Sequence, residues 1–176
     1  MNDATTAPAA AAPPGPVAGI VITVIAVVII VAWILLGLIV LHLQPTSLVG
    51  GFLLLYYWAN NGQLDIKQLP AAIIGGLVGI FLSWFVVHAE VQWGSTGLAL
   101  ALALFVLALY LDVIKALPMV VNTSTMLYLT VAAAPLVQLH VDWQELVIST
   151  VVGGAFFGLL VEGLKRLAAR FAPSPA

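Results

Sequence analysis

Residues 17–43 read VAGIVITVIAVVIIVAWILLGLIVLHL, a stretch that contains no Asp, Glu, Lys or Arg. A helix needs about 20 consecutive apolar residues to cross the hydrocarbon core of a bilayer. The stretch is long enough for that, and it is longer than the apolar region of a signal peptide, which is about 7–15 residues. We therefore expect residues 17–43 to form a first transmembrane helix that the protein retains.

The composition of the whole chain agrees with this stretch. Of its 176 residues, 63% are hydrophobic and only 7% are charged, whereas a soluble domain carries about 25% charged residues. So few charges cannot cover a soluble surface, and the sequence predicts an all-α integral membrane protein surrounded by the lipid bilayer. No basic patch indicates nucleic acid, and the absence of cysteine excludes disulfides and Cys-ligated metals.

Hydrophobic segments and the breakers between them divide the chain further. Pro45 and Pro118 each open a segment, and Asn60-Asn61-Gly62 closes the second one. The six predicted transmembrane helices cover residues 17–43, 46–59, 70–88, 96–115, 118–137 and 145–168. Together they form one membrane domain over residues 17–170, preceded by a disordered Ala/Pro-rich cytoplasmic tail (1–16) and followed by a short C-terminal tail (171–176).

The charged residues provide an independent test of this count. With six helices, all five basic residues fall on one side of the membrane: Lys67, Lys115, Lys165, Arg166 and Arg170. The loops on the opposite side contain Glu90, Asp142 and Glu145 and no basic residue. Because Lys and Arg collect in cytoplasmic loops, both termini are predicted to be cytoplasmic.

An internal repeat connects the two halves of the chain, residues 17–90 and 96–168. Gln63-Leu64 precedes an acidic residue and a Gly-rich segment, and Gln138-Leu139 does the same 75 positions later. Glycines four residues apart let helix backbones approach closely in lipid. The helix-packing glycines are predicted to be Gly75, Gly79, Gly154 and Gly158. Two halves of three helices each have opposite orientations, so the pattern predicts a 3+3 inverted repeat.

Predicted helices two and five are short or interrupted, and they occupy corresponding positions in the two halves. In inverted-repeat carriers such segments form the substrate site. Hydroxyls and amides at this depth also need partners that lipid does not supply. The residues predicted to line a solute path are Tyr57, Asn60, Asn61, Asn122, Thr125 and Tyr128. The leading hypothesis is a channel or transporter for a small polar solute, working alone or as a homo-oligomer, and not an enzyme.

Two other hypotheses come from the same residues. In a non-transporting accessory or scaffold protein, the glycines would pack helices and the Asn and Thr side chains would hold them together. In an intramembrane metal enzyme, His88 and Glu90 would combine with His140 and Asp142 to bind zinc. Residues two apart on a helix point in different directions, so we expect solvated histidines and predict no metal and no cofactor.

Two acidic residues lie inside predicted helices four and six. Lys115 is three residues from Asp112, and Lys165 and Arg166 are three and four residues from Glu162. Residues at these spacings share a helix face. We therefore expect local ion pairs at the membrane surface rather than catalytic carboxylates.

Residues 48–167 resemble a family of small bacterial inner-membrane proteins known as domain of unknown function 1097. In the first half the resemblance rests on Gly51-Phe52, Tyr57, Ala59, Gly62 and Lys67. In the second half it rests on Pro118, Asp142-Trp143, Gly153-Gly154 and Gly158. This chain departs from the family in lacking cysteines in helices two and five and in having the Ala/Pro tail. The pattern is also distantly similar to the membrane part of fusaric-acid-resistance-type exporters. The resemblance implies a bacterial inner membrane and solute movement, and it supplies no catalytic residue.

Overall fold

A computed structural model describes residues 15–171, and over this range the predicted all-helical fold is confirmed, with no strand. The helices are α1 Pro16–Leu35, which continues as a π-helical turn over Leu36–Val40, α2 Val49–Asn60, α3 Leu69–Val113, α4 Thr123–Ala132, α5 Pro135–Gln138 and α6 Trp143–Phe171. Most of the predicted N-terminal tail, residues 1–14, and most of the C-terminal one, residues 172–176, lie outside the described residues.

Three helical segments of the described chain are long and apolar enough to cross a membrane: Gly19–Val40, Leu69–Val113 and Trp143–Arg170. α1 is the clearest of them, because apolar side chains are exposed all around it; Val17 is 76% exposed and Val28 is 62% exposed. A helix that is apolar on every side is stable only in lipid or inside a protein. The fold therefore has the helix lengths and the surface of a membrane protein.

The longest helix, α3, folds back on itself at Gly94. This residue has φ 57° and ψ −138°, a backbone conformation outside the helical region that glycine adopts at low cost. Leu82 and Ala108 belong to one apolar cluster, although a straight helix would hold them about 39 Å apart. A Cβ on Gly97 would overlap the carbonyl oxygen of Ala89. Residues 69–93 and 95–113 thus form two antiparallel arms that meet closely beside the turn.

α2 and α4 are much shorter than the other packed helices. They contain 12 and 10 residues, or about 18 Å and 15 Å of helix, whereas the hydrocarbon core is about 30 Å thick. Each follows a non-helical segment that is itself buried near the helix start, at Ser47 before α2 and at Asn122 before α4. Non-helical backbone at membrane depth has to be enclosed by protein or face a water-filled cavity.

The two short helices each pack mainly against one long helix. α2 packs mainly against α6, and α4 packs mainly against α3; α2 also meets α4, and α3 also meets α6. The four glycines predicted to pack helices all lie at these contacts. A Cβ on Gly75 would overlap the Asn122 amide. Similar Cβ atoms on Gly154 and Gly158 would lie 2.7 Å from Leu54 and 2.6 Å from Leu69, respectively.

The bundle has two chemically different ends. At one end, the Lys165 ammonium donates to the Leu64 carbonyl at 2.6 Å, and Lys115 follows the arm of α3 that returns to this end. At the other end, the backbone N–H of Gln44 donates to the Glu145 carboxylate at 2.7 Å. We call the end that contains Lys165 the basic end and the end that contains Glu145 the acidic end.

Candidate functional site

Asn122 is the buried polar side chain with the most contacts at the start of α4. Its side-chain oxygen accepts the N–H of Ser124 at 2.9 Å, and its backbone N–H donates to the Thr125 hydroxyl at 3.2 Å. This reciprocal arrangement is a capping box, which satisfies N–H groups that the first helical turn leaves unpaired. The amide nitrogen also donates to the carbonyls of Ala71 and Pro118, at 3.0 and 2.9 Å. One side chain thus caps α4 and attaches it to α3.

Two further hydroxyls join α4 to the first arm of α3. Ser124 donates to the carbonyl of Ala72 at 2.9 Å. Ser83 donates to the carbonyls of Gly79 and Leu129, at 3.0 and 3.2 Å. Backbone carbonyls already bonded within a helix can accept a second hydrogen bond, since each has two lone pairs. The polar side chains of this interface are therefore satisfied without water.

A second group of polar atoms lies where α2, α4 and α6 meet, and we call it the central polar cluster: Gly50, Gly51, Tyr128, Ser149 and Thr150. The hydroxyl of Tyr128 donates to the carbonyl of Gly50 in a short hydrogen bond. The N–H of Gly51 donates to the Ser149 hydroxyl at 3.0 Å. The Thr150 hydroxyl donates to the Leu146 carbonyl at 2.9 Å.

Every side chain of the central polar cluster is shielded: Tyr128, Ser149 and Thr150 are all 0% exposed. The glycines make this approach possible, because a Cβ on Gly50 would lie 2.7 Å from the Thr150 hydroxyl oxygen. A Cβ on Gly51 would lie 2.5 Å from the ring of Trp33. The first turn of α2 is therefore enclosed by α1, α4 and α6, and it presents backbone polar groups to hydroxyls from two different helices.

The structure separates the six residues predicted to line a solute path into two groups. Asn122, Thr125 and Tyr128 are buried together along α4. The other three lie at the opposite end of α2, where Tyr57 is half-buried and Asn60 and Asn61 are exposed. The amide of Asn60 donates to the Tyr56 carbonyl of its own helix at 2.8 Å. Tyr57 packs against the main apolar cluster of the bundle, but hydrogen bonds between helices are described only for the α4 group.

Gly50, Ser149 and Thr150 were not among the site residues predicted from the sequence. The signal for the central polar cluster was the adjacent pair Ser149-Thr150 within an apolar helix of 29 residues. Two neighbouring hydroxyls on a helix face different sides, so at least one of them faces protein if the helix is packed. The partner of Ser149, the N–H of Gly51, lies on another helix 98 residues earlier, which no local pattern indicates.

At the acidic end, His88 and Asp142 contact neighbouring groups of the protein. His88 stacks on Trp84 with ring centroids 4.3 Å apart, and Glu90 is exposed. Asp142 accepts the N–H groups of Gln144 and Glu145 at 2.8 and 3.1 Å, at the start of α6. Within residues 15–171 no group of three or more His, Asp or Glu side chains is placed to hold a metal ion.

The ion pairs expected for the two acidic residues inside helices are present. Lys115 pairs with Asp112 at 2.8 Å, and Arg166 pairs with Glu162 at 3.0 Å. The paired residues are three and four positions apart, so each pair lies on one face of a helix or at its end. These carboxylates therefore have cationic partners close to the basic end.

We describe five cavities, and none of them includes Asn122, Thr125 or Tyr128. The largest of the apolar ones, about 530 Å³, lies between α3 and α6 beside Phe81, Trp84 and Trp143. Another, of about 450 Å³, lies between α1, α2 and α6 at the basic end. Asn122, Thr125 and Tyr128 are themselves buried.

No family model matches the chain, and no curated protein or solved structure shows significant similarity to it. The resemblance to domain of unknown function 1097 and to the exporters stays a prediction.

Proposed function

We propose that the protein crosses the membrane six times as a 3+3 inverted repeat, with the basic end in the cytoplasm of a bacterium. The fold-back of α3 at Gly94 supports the count, because it divides one long apolar helix into two arms. The exchanged packing of α2 with α6 and of α4 with α3 supports the repeat, since a two-fold axis would interconvert these two contacts. The positive-inside rule supports the orientation.

The function we propose is movement of a small polar solute through the bundle, in which the contact between α2 and α4 opens. The observation that carries this proposal is the central polar cluster, where two helices shorter than the bilayer meet through the hydrogen bond from Tyr128 to Gly50. Short helices at equivalent positions of two inverted halves mark the substrate site in many carriers. A solute with its own donors and acceptors would replace this bond and those of Ser149.

A buried hydroxyl near the start of α2 supports the same proposal. Ser47 is 0% exposed, and its Oγ has no hydrogen-bond partner among residues 15–171. A buried polar atom without a partner costs free energy and calls for an explanation such as an absent ligand. Ser47 lies 75 positions before Asn122, the spacing of the sequence repeat, so the two buried side chains occupy matching places in the two halves.

A non-transporting scaffold is the second candidate function, and one observation favours it. Asn122, Ser124 and Ser83 each donate a hydrogen bond to a backbone carbonyl of a neighbouring helix. In this view the polar side chains only hold helices together, as buried Ser, Thr and Asn do in many membrane proteins. The two functions differ in whether α4 is ever in contact with water.

Accessibility to a water-soluble reagent tests the choice between them. The chain contains no cysteine, so single cysteines at Asn122, Thr125 and Tyr128 report individually on labelling by a membrane-impermeant thiol reagent. Lys67→Cys in a loop is the positive control, and Val28→Cys on the lipid-facing side of α1 is the negative control. Labelling along α4 supports a solute path; complete protection of all three, with Lys67→Cys labelled in inverted vesicles, supports the scaffold.

A further inference from the structure

An apolar groove lies between α1, α2 and α6, and a cation lies at one end of it. It has a volume of about 450 Å³, within the range of about 300–1,000 Å³ that is typical of ligand sites. Ile29 and Leu55 line its deep part, and Ala59 and Leu64 line the part near the basic end. Lys165 closes that end and is the one charged residue in a lining that is otherwise aliphatic.

The Lys165 ammonium has capacity to bind an anion. Its described bond is to a neutral acceptor, the Leu64 carbonyl, at 2.6 Å, and an ammonium group has three N–H donors. In contrast, Arg166 and Lys115 at the same end are neutralised by Glu162 and Asp112. A cation at the mouth of an apolar groove is complementary to a molecule with an anionic head and a hydrocarbon tail.

We infer that this groove binds one anionic phospholipid of the surrounding leaflet, with an acyl chain in the groove and the phosphate on Lys165. Along α1 the lining runs from Ile22 to Ile30, about 12 Å of helix, which accommodates a long section of one acyl chain. Anionic lipids are attracted to basic residues at the cytoplasmic surface, the side to which the basic end is assigned. The inference does not depend on whether the protein transports a solute.

Native mass spectrometry of the detergent-purified full-length protein tests this site. Phosphatidylglycerol and phosphatidylcholine with identical acyl chains are added at equal concentration, and the fraction of protein that retains one lipid is measured. We expect retention of phosphatidylglycerol to exceed that of phosphatidylcholine by about tenfold, because the choline cation of phosphatidylcholine offsets the charge of its phosphate and a charge-assisted contact contributes about one decade in affinity. Equal retention of the two lipids would overturn the inference.

Two pairs of variants locate the binding on the molecule. Lys165→Gln should reduce phosphatidylglycerol retention to the level of phosphatidylcholine, whereas Lys115→Gln removes a charge at the same end and should leave retention unchanged. Ala26→Phe fills the groove and should reduce retention of both lipids, whereas Val28→Phe on the same helix should not. If Lys165→Gln or Ala26→Phe retains phosphatidylglycerol like the unmodified protein, the lipid site is refuted. It is also refuted if the mass spectra show a dimer that Ala26→Phe dissociates, because the groove would then bind a second copy of the chain.

Discussion

The hydroxyl of Tyr128 donates a hydrogen bond to the backbone carbonyl of Gly50, which lies 78 residues earlier in the chain. Both residues are buried, and the bond joins α4 to the first turn of α2. Since α2 packs mainly on α6 and α4 mainly on α3, this bond connects the α2–α6 half of the bundle to the α3–α4 half.

Tyr128→Phe should destabilise the folded protein by about 0.5–2 kcal/mol, because it removes one buried hydrogen bond while the ring remains in place. The measurement is thermal or denaturant unfolding in detergent. Tyr56→Phe is the matched control, because the Tyr56 side chain is 63% exposed, and its unfolding should match the unmodified protein. Equal stability of Tyr128→Phe and the control would show that the bond does not hold the halves together.

Asn122→Ala should destabilise the protein by about 2 kcal/mol or more, since it removes the cap of α4 and two bonds to the carbonyls of Ala71 and Pro118. Asn61→Ala provides the comparison, because Asn61 is exposed at the end of α2 and its loss should cost little. Unfolding of both variants in the same detergent measures the difference. A similar small effect for the two would contradict the described role of Asn122.

Gly79→Ala should cost about 1–3 kcal/mol by overpacking. Its Cβ would lie 2.5 Å from the carbonyl oxygen of Thr125 and 2.7 Å from the Cβ of Tyr128, so α4 would have to move away from α3. Gly163→Ala changes the same residue type in α6 at a place where a Cβ meets nothing within 4 Å. That variant should be neutral or up to about 1 kcal/mol more stable, because Ala favours helix over Gly. When unfolding is measured side by side, the free energy of unfolding should therefore fall for Gly79→Ala and stay the same or rise for Gly163→Ala.

Gly94→Ala should weaken the turn between the two arms of α3 by about 1–2 kcal/mol, because an Ala side chain is strained at φ 57°. Cross-linking of cysteines placed at Leu82 and Ala108, which belong to one apolar cluster, by a bifunctional thiol reagent reports on the pairing of the arms, and it should be less efficient in the Gly94→Ala background. Gly19→Ala, where a Cβ meets nothing within 4 Å, should leave cross-linking unchanged. Failure of the cross-link in the unmodified Gly94 background would refute the antiparallel arrangement.

Ser47→Ala separates a binding role from a structural one. It removes a buried hydroxyl that has no partner among the described residues, so stability should stay within about 0.5 kcal/mol of the unmodified protein or increase. If Ser47 binds the transported solute, solute flux in proteoliposomes should fall while unfolding is unaffected. Unchanged flux in a protein that transports would remove Ser47 from the path.

The parts of the fold that depend on local composition could be predicted from the sequence. Hydrophobic burial is approximately additive along the chain, so the run over residues 17–43 is sufficient to predict a membrane helix. The break in the third apolar region was also predictable, because Gly94 lies between the two predicted helices 70–88 and 96–115. The shortness of α2 followed from Pro45 and the Asn60-Asn61-Gly62 breaker. The helix predicted over residues 118–137 is instead divided into α4 Thr123–Ala132 and α5 Pro135–Gln138.

The tertiary structure decided which polar residues act together. Asn122 and Tyr128 were named from the sequence, but Asn122 donates to the Ala71 carbonyl 51 positions earlier and Tyr128 donates to the Gly50 carbonyl 78 positions earlier. An amide or hydroxyl can bond any donor or acceptor within reach, so its type does not specify its partner. The order of charged and apolar residues along the chain determined that this is a helical membrane protein. The packing of α2 against α6 and of α4 against α3 determined where its polar groups meet, because a hydrogen bond depends on three-dimensional distance.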